Sequence, residues 1–162
     1  MAATIQTRQK KPKKYSLPNI KNIMTGNDYF LDTNIILRHL RQDHPALSPK
    51  ASTIIRRIAE QKINAYIHSL VLHEALYVLE HVYNNERKDI SNNISQLLQL
   101  ENLLLLDVSK QLMQQALTDY ASVRVDFPDC LYGAMVKERG MHLLSFDKDF
   151  QKLQIPTLTS VK

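Results

Sequence analysis

The stretch that decides the fold is Tyr29-Phe30-Leu31-Asp32-Thr33-Asn34-Ile35-Ile36-Leu37. Tyr29 to Leu31 is a short apolar run, stopped by Asp32, and reads as a strand. Thr33-Asn34 then opens a run with apolar residues at Ile35, Ile36, Leu37 and Leu40, which predicts a helix ended by Asp43-His44-Pro45. A strand that passes into a helix across one acidic residue is the opening of an α/β unit.

The same alternation continues downstream. Ser48-Pro49 predicts a helix start, with Ser48 as N-cap and Pro49 as first residue, carrying Ile54, Ile55, Ile58 and Ala59. A second strand is expected over about residues 63–67. Ser69 is placed to cap a third helix, whose stripe of Val71, Ala75, Val78, Leu79 and Val82 keeps the 3.6-residue period, with Glu74 at its edge. Further helices are expected over about 89–100, 110–123 and 126–139, the last with Lys137 and Arg139 near its end and Gly140 beyond. Strands are expected over 103–106 and 141–146, and 149–153 reads as one short helical turn. Strands alternating with helices, without hairpin signals between them, predict an α/β fold: three layers, a central mostly parallel sheet of four to five strands, helices on both faces.

Composition bounds what this domain does. A chain of 162 residues, 44% apolar, fits one packed domain. Its apolar runs are far shorter than the roughly 20 residues of a membrane span. Nothing after Lys14 supplies the apolar stretch of a secretion signal, so a soluble, cytoplasmic protein is expected. One cysteine, Cys130, excludes an intrachain disulfide and any multi-cysteine zinc site. Charge divides the chain unevenly: 6 of its 21 basic residues precede the first acid, Asp28, which leaves 15 against 16 acids and a net charge of −1 for residues 28–162. Residues 1–27 therefore read as a basic N-terminal arm and 28–162 as the folded domain. Such an arm suits phosphate contacts, or serves as a solvated tail.

The chemistry lies in the acids. Asp32 and Asp147 each follow an apolar strand, where a parallel sheet gathers ligand groups outside the strand carboxyl ends. Glu74 and Asp129 lie in early helical turns that can face the same crevice. Taken singly, each has a plain structural role: Asp32 as an Asx-type cap, Asp126 and Asp129 as helix-start charges, Glu74 as a solvated position, Asp147 and Asp149 as turn residues. Taken together, carboxylates converging on one crevice repel one another, and a divalent cation removes the conflict. An oxygen-only set favours Mg²⁺ or Mn²⁺ over zinc. Other chemistries lack their residues. His73-Glu74 has Tyr77 where a zinc protease helix needs its second histidine, and the three glycines form neither a phosphate loop nor a nucleophile elbow. A phosphoaspartate enzyme would want a second aspartate at position 34, which is Asn34.

Four segments in order, Leu-Asp-Thr-Asn at 31–34, Leu-Val-Leu-His-Glu-Ala-Leu-Tyr-Val-Leu at 70–79, Asp-Phe-Pro-Asp-Cys-Leu at 126–131 and Leu-Ser-Phe-Asp-Lys-Asp-Phe at 144–150, resemble the PIN-domain ribonucleases, in particular VapC-type toxins of toxin–antitoxin pairs. The resemblance covers about residues 28–153 and implies a PIN-like fold. It implies a metal-dependent endoribonuclease holding Mg²⁺ or Mn²⁺ on Asp32, Glu74, Asp129 and Asp147, with Asn34 supporting the first aspartate and Ser145 standing where threonine is common. Asp126 and Asp149 lie close enough to Asp129 and Asp147 to exchange roles with them. The substrate implied is RNA, approaching along basic surface that includes Arg38, Arg41 and Lys148. The partners implied are a small antitoxin and a second copy in a homodimer. The competing expectation is a PIN-like module that binds RNA or protein without cleaving. The basic arm is not part of the resemblance.

Overall fold

The computed structural model describes residues 28–161, so the basic arm lies outside the described residues. Among these residues five strands and six helices follow in order: β1 Asp28–Leu31, α1 Thr33–Arg41, α2 Ser48–Ala59, β2 Asn64–His68, α3 Ser69–Tyr77, α4 Arg87–Leu98, β3 Leu103–Leu106, α5 Lys110–Ser122, α6 Phe127–Arg139, β4 His142–Leu144 and β5 Thr157–Leu158. A π-helical turn, Val78–Val82, follows α3, and a 3₁₀ turn, Asp149–Leu153, precedes β5.

All strand pairings are parallel, and the spatial order is β3-β2-β1-β4-β5. The expected mostly parallel sheet is therefore a wholly parallel one. The chain builds outward from β1 to β3 on one side, then crosses back to add β4 and β5 on the other. Right-handed crossovers put the helices of these two halves on opposite faces. Accordingly α1 packs on α2 and α3, while α5 packs on α6. The strand order reverses at the pair β1–β4, and a parallel sheet opens a crevice beyond the strand ends at such a point.

The sequence explains this arrangement. Every residue of β1 is buried, as a central parallel strand covered on both faces requires. Phe30, Leu31, Ile67 and Leu143 from three neighbouring strands are fully buried, and so are Ile35 and Ile54 from α1 and α2 and Leu131 and Met135 from α6. Burying one such side chain contributes roughly 1.5–3 kcal/mol before entropy is subtracted. On the outer strand β3 the pattern relaxes: Leu103 and Leu106 are buried, Leu104 and Leu105 exposed.

Several boundaries differ from those expected. Ser48 is the first residue of α2, not its cap; Leu47 holds that place and Pro49 is second, while the Ser48 hydroxyl accepts from the His44 N–H at 3.2 Å. Ser69 likewise lies inside α3, and His68 is the cap, its Nδ1 accepting from the Leu70 N–H at 3.1 Å. Val82 leaves the predicted stripe and is 62% exposed. The cause is the π turn: the Tyr83 N–H reaches back five residues to the Val78 carbonyl at 3.1 Å, which rotates later side chains off the buried face. Helix α6 ends as expected, Gly140 adopting φ +63 and donating its N–H to the Val136 carbonyl. β5, only two residues long, has no periodicity by which to be seen in advance.

Candidate active site

Asp32 leaves β1 at the reversal point. Its backbone N–H donates to the Leu144 carbonyl of β4 at 3.0 Å, so the first site residue is still pinned to the sheet. Its side chain caps α1, Oδ1 accepting from the Thr33 N–H at 2.7 Å. Oδ2 accepts from Asn34 Nδ2 at 2.6 Å and from the Ser145 hydroxyl at 2.5 Å. Capping α1 through Oδ1 thus leaves Oδ2 to the two side-chain donors. Asp32 is only 5% exposed, and its pKa is pushed up to about 6, first by burial and then by the charges of Glu74 and Asp147, against the lowering pull of its Ser145 and Thr33 bonds.

Asn34 and Ser145 both donate to Asp32 and are bonded to each other. Asn34 Nδ2 also donates to Ser145 Oγ at 3.1 Å, and Asn34 Oδ1 accepts from the Phe146 N–H at 3.1 Å. Ser145 Oγ accepts in addition from the Asp147 N–H at 2.9 Å. One amide and one hydroxyl therefore tie the segment after β1 to the segment after β4.

Glu74 is the sixth residue of α3 and exposed; the Thr33 hydroxyl donates to its Oε2 at 2.6 Å. Asp129 is the third residue of α6, where the helix dipole favours a carboxylate. Its pKa is nevertheless pushed up to about 7, by burial first and then by Asp32, Asp147, Glu74 and Asp126 in that order. Asp147 is exposed after β4, and its Oδ1 accepts from the Asp149 N–H at 2.8 Å, an Asx-type turn. The fold thus brings Asp32, Glu74, Asp129 and Asp147 within one another's electrostatic reach, from two strand ends and two helices on opposite faces.

The neighbouring acids are occupied differently. Asp126 is exposed at the cap position of α6 and makes no cap bond through its side chain. Asp149 forms an ion pair with Lys152 at 2.9 Å. Two of the cations expected along the RNA path are also engaged: Arg38 pairs with Asp43 at 2.8 Å, and the Arg41 guanidinium stacks 4.3 Å from the centre of the Tyr83 ring. Lys148 is exposed beside Asp147.

Beside Asp32 and Asp147, a cleft of about 410 Å³ is lined by Glu74, by both Asp126 and Asp129, and by His73, Tyr77, Tyr120 and Phe127. Tyr77 is 56% and Tyr120 53% exposed, an unusual amount of aromatic surface facing solvent. Sequence reasoning did not single out these aromatics, nor Thr33 or Tyr132 as parts of the site. For Tyr132 a signal existed: it stands three residues after Asp129, on the same face of α6.

Among the described residues no three His, Cys, Asp or Glu side chains stand, in their present rotamers, where they could hold one ion. The donor chemistry still suits a hard dication. The set is oxygen-only, and Asp32 and Asp129 carry repulsion that a positive charge would relieve. Beside them the fully buried Tyr132 hydroxyl has no hydrogen-bond partner.

Comparison with known proteins bears on the fold and the family. A VapC ribonuclease of Aquifex aeolicus (strain VF5) is 29% identical over 133 residues, 79% of this chain and 93% of the relative. Mycobacterium tuberculosis VapC20, described as a sarcin-ricin loop cleaving toxin, shares the fold with a TM-score of 0.62 at 18% identity, over 79% of this chain and 96% of that one. A VapBC2 structure from Rickettsia felis, bound to a DNA fragment from its promoter, superposes with a TM-score of 0.61 at 14% identity, over 81% of this chain and 97% of that one. The PIN domain family model matches residues 29–156, the span that holds both strand ends, both acid-bearing helices and the cleft, and the chain belongs to the PIN domain family.

Proposed function

We propose that this PIN domain is a ribonuclease of VapC type, an endoribonuclease dependent on Mg²⁺ or Mn²⁺ that hydrolyses RNA phosphodiester bonds as the toxin of a toxin–antitoxin pair. The observation that carries the reading is the convergence of carboxylates at the sheet's reversal point: Asp32 is buried and held by three donors, Ser145 joins it to the Asp147 backbone, Thr33 beside it bonds Glu74, and Glu74 and Asp129 line one cleft. Bound there, a dication lowers the pKa of water and offsets charge on the reacting phosphate. Asp32, Asp129 and Asp147 would hold it directly. Glu74, kept toward the site by Thr33, would complete the set or accept a proton from water.

The cleft supports RNA as substrate. Unpaired bases stack on aromatic faces, and Tyr77 and Tyr120 offer such faces beside Glu74 and Asp129. The VapC relative and the VapBC assembly among the structural neighbours support a small antitoxin as partner; we further take the toxin to be a cytoplasmic homodimer. Among the described residues no helix is long and apolar enough to cross a membrane.

The test is cleavage of a single-stranded RNA by the purified full chain with Mn²⁺, beside Asp32→Asn. Cleavage that needs Mn²⁺ and disappears in the variant is the expected result. Cleavage that persists in Asp32→Asn overturns the mechanism. RNA binding that survives EDTA, with no cleavage in Mn²⁺, would make the protein a silent binding module instead.

A further inference from the structure

Tyr132 is the largest fully buried side chain among the described residues. Its ring packs on Phe30 of β1, centroids 5.2 Å apart, which fixes the phenol between α6 and the central strand. Its hydroxyl has no hydrogen-bond partner, although a buried polar group left unmatched is destabilising. Phenylalanine would fill the same space without that cost, so the oxygen calls for an explanation.

Its surroundings supply one. The hydroxyl lies beside Thr33 without meeting hydrogen-bond geometry, and the Thr33 hydroxyl donates to Glu74 at 2.6 Å. Burial, then the charges of Glu74, Asp32 and Asp129, push the phenol's pKa up, so it stays a neutral donor. A threonine hydroxyl that gives its proton to a carboxylate keeps lone pairs free to accept another. A small movement of Thr33 or Tyr132 would complete a chain from phenol to threonine to glutamate.

We infer that Tyr132 is a positioning residue: its hydroxyl, unpartnered in the metal-free chain, donates to the Thr33 hydroxyl when metal binds and so holds Glu74 toward the site from beneath its floor. The inference rests on the reading of the site as a metal-dependent ribonuclease. Because Tyr132 is 0% exposed, RNA does not touch it, and its effect falls on metal affinity and turnover, not on substrate binding.

The experiment is Mn²⁺ binding to the full chain by titration calorimetry, in wild type, Tyr132→Phe, Thr33→Val, Thr33→Ser and the Tyr132→Phe/Thr33→Val double variant. Groups that orient metal ligands typically change affinity about tenfold or more. Tyr132→Phe is expected to lose about that much affinity and to lower kcat with KM for RNA unchanged, while its metal-free melting temperature equals or exceeds that of wild type. Thr33→Val should lose affinity similarly, Thr33→Ser should restore most of it, and the double variant should fall no further than the worse single one. Mn²⁺ affinity of Tyr132→Phe within twofold of wild type overturns the inference and leaves the nuclease reading standing. Should Tyr132→Phe not fold, equal affinities of Thr33→Val and wild type overturn it. A wild-type chain that neither binds Mn²⁺ nor cleaves RNA with it overturns the nuclease reading itself, and this inference with it.

Discussion

The Ser145 hydroxyl donates to Asp32 Oδ2 at 2.5 Å, joining the end of β4 to the end of β1 across the line where the strand order reverses. The bond favours the charged carboxylate, so its worth depends on pH. Ser145→Ala is expected to cost about 1–3 kcal/mol at pH 8, where Asp32 is ionised, and much less at pH 5, below its pKa of about 6. Thermal melts of both proteins in EDTA at the two pH values check this. An equal loss at both would mean that the bond does not act on the charge.

Asp129 gives the opposite sign. Its folded-state pKa of about 7 lies above the ordinary 3.8, so the folded chain binds more protons than the unfolded one in between. Stability of the metal-free protein therefore falls as pH rises from about 4 to 7. Asp129→Asn removes the repelled charge and should raise metal-free stability at pH 8 by about 1–3 kcal/mol, a gain that fades toward pH 5. Melting temperatures against pH read the crossover directly, and a variant less stable than wild type at pH 8 would refute the repulsion.

Metal should reverse that penalty. At a Mn²⁺ concentration a hundredfold above its dissociation constant, binding to the folded state stabilises it by about 2.7 kcal/mol. The melting temperature at pH 8 is expected to rise by several degrees with Mn²⁺, to return with EDTA, and to stay flat in Asp32→Asn. A response to Ca²⁺ and to NaCl of the same ionic strength as large as that to Mn²⁺ would point to screening alone.

The aromatic wall makes a separate prediction. Stacking of one base is worth about 1–3 kcal/mol, so Tyr120→Ala should raise KM for a single-stranded RNA by about 5- to 150-fold while Tyr120→Phe keeps most of the affinity. Steady-state cleavage assays on single-stranded RNA decide it. An unchanged KM for Tyr120→Ala would place the base elsewhere than on this wall.

The order of elements was legible because apolar runs and breakers are local. β1 and α1 follow from nine residues, and the resemblance to PIN domains, read from four short segments, is the one that the family match covers. Ends were less legible, because tertiary bonds decide them. β4 was expected to run from 141 to 146 but closes at Leu144, since the Ser145 hydroxyl turns to Asp32 and the Phe146 N–H is taken by Asn34. His68 displaced Ser69 as a cap because a histidine Nδ1, rarely a cap, stands in the right place, and burial holds that ring's pKa low so that the nitrogen stays an acceptor. Among the site residues, the acids stood out by type and position. Tyr132 and the cleft aromatics did not, because an aromatic at helical spacing looks the same whether it fills a core or faces a ligand.

β1 is the middle strand of five, and the Asp32 amide is bonded into β4. The first residue of the site is therefore among the last parts of the chain that can open to solvent, and its amide should exchange hydrogen only when the whole domain unfolds. Local breathing therefore leaves this carboxylate in place. Whatever silences the chain through Asp32 must cover it or unfold the domain.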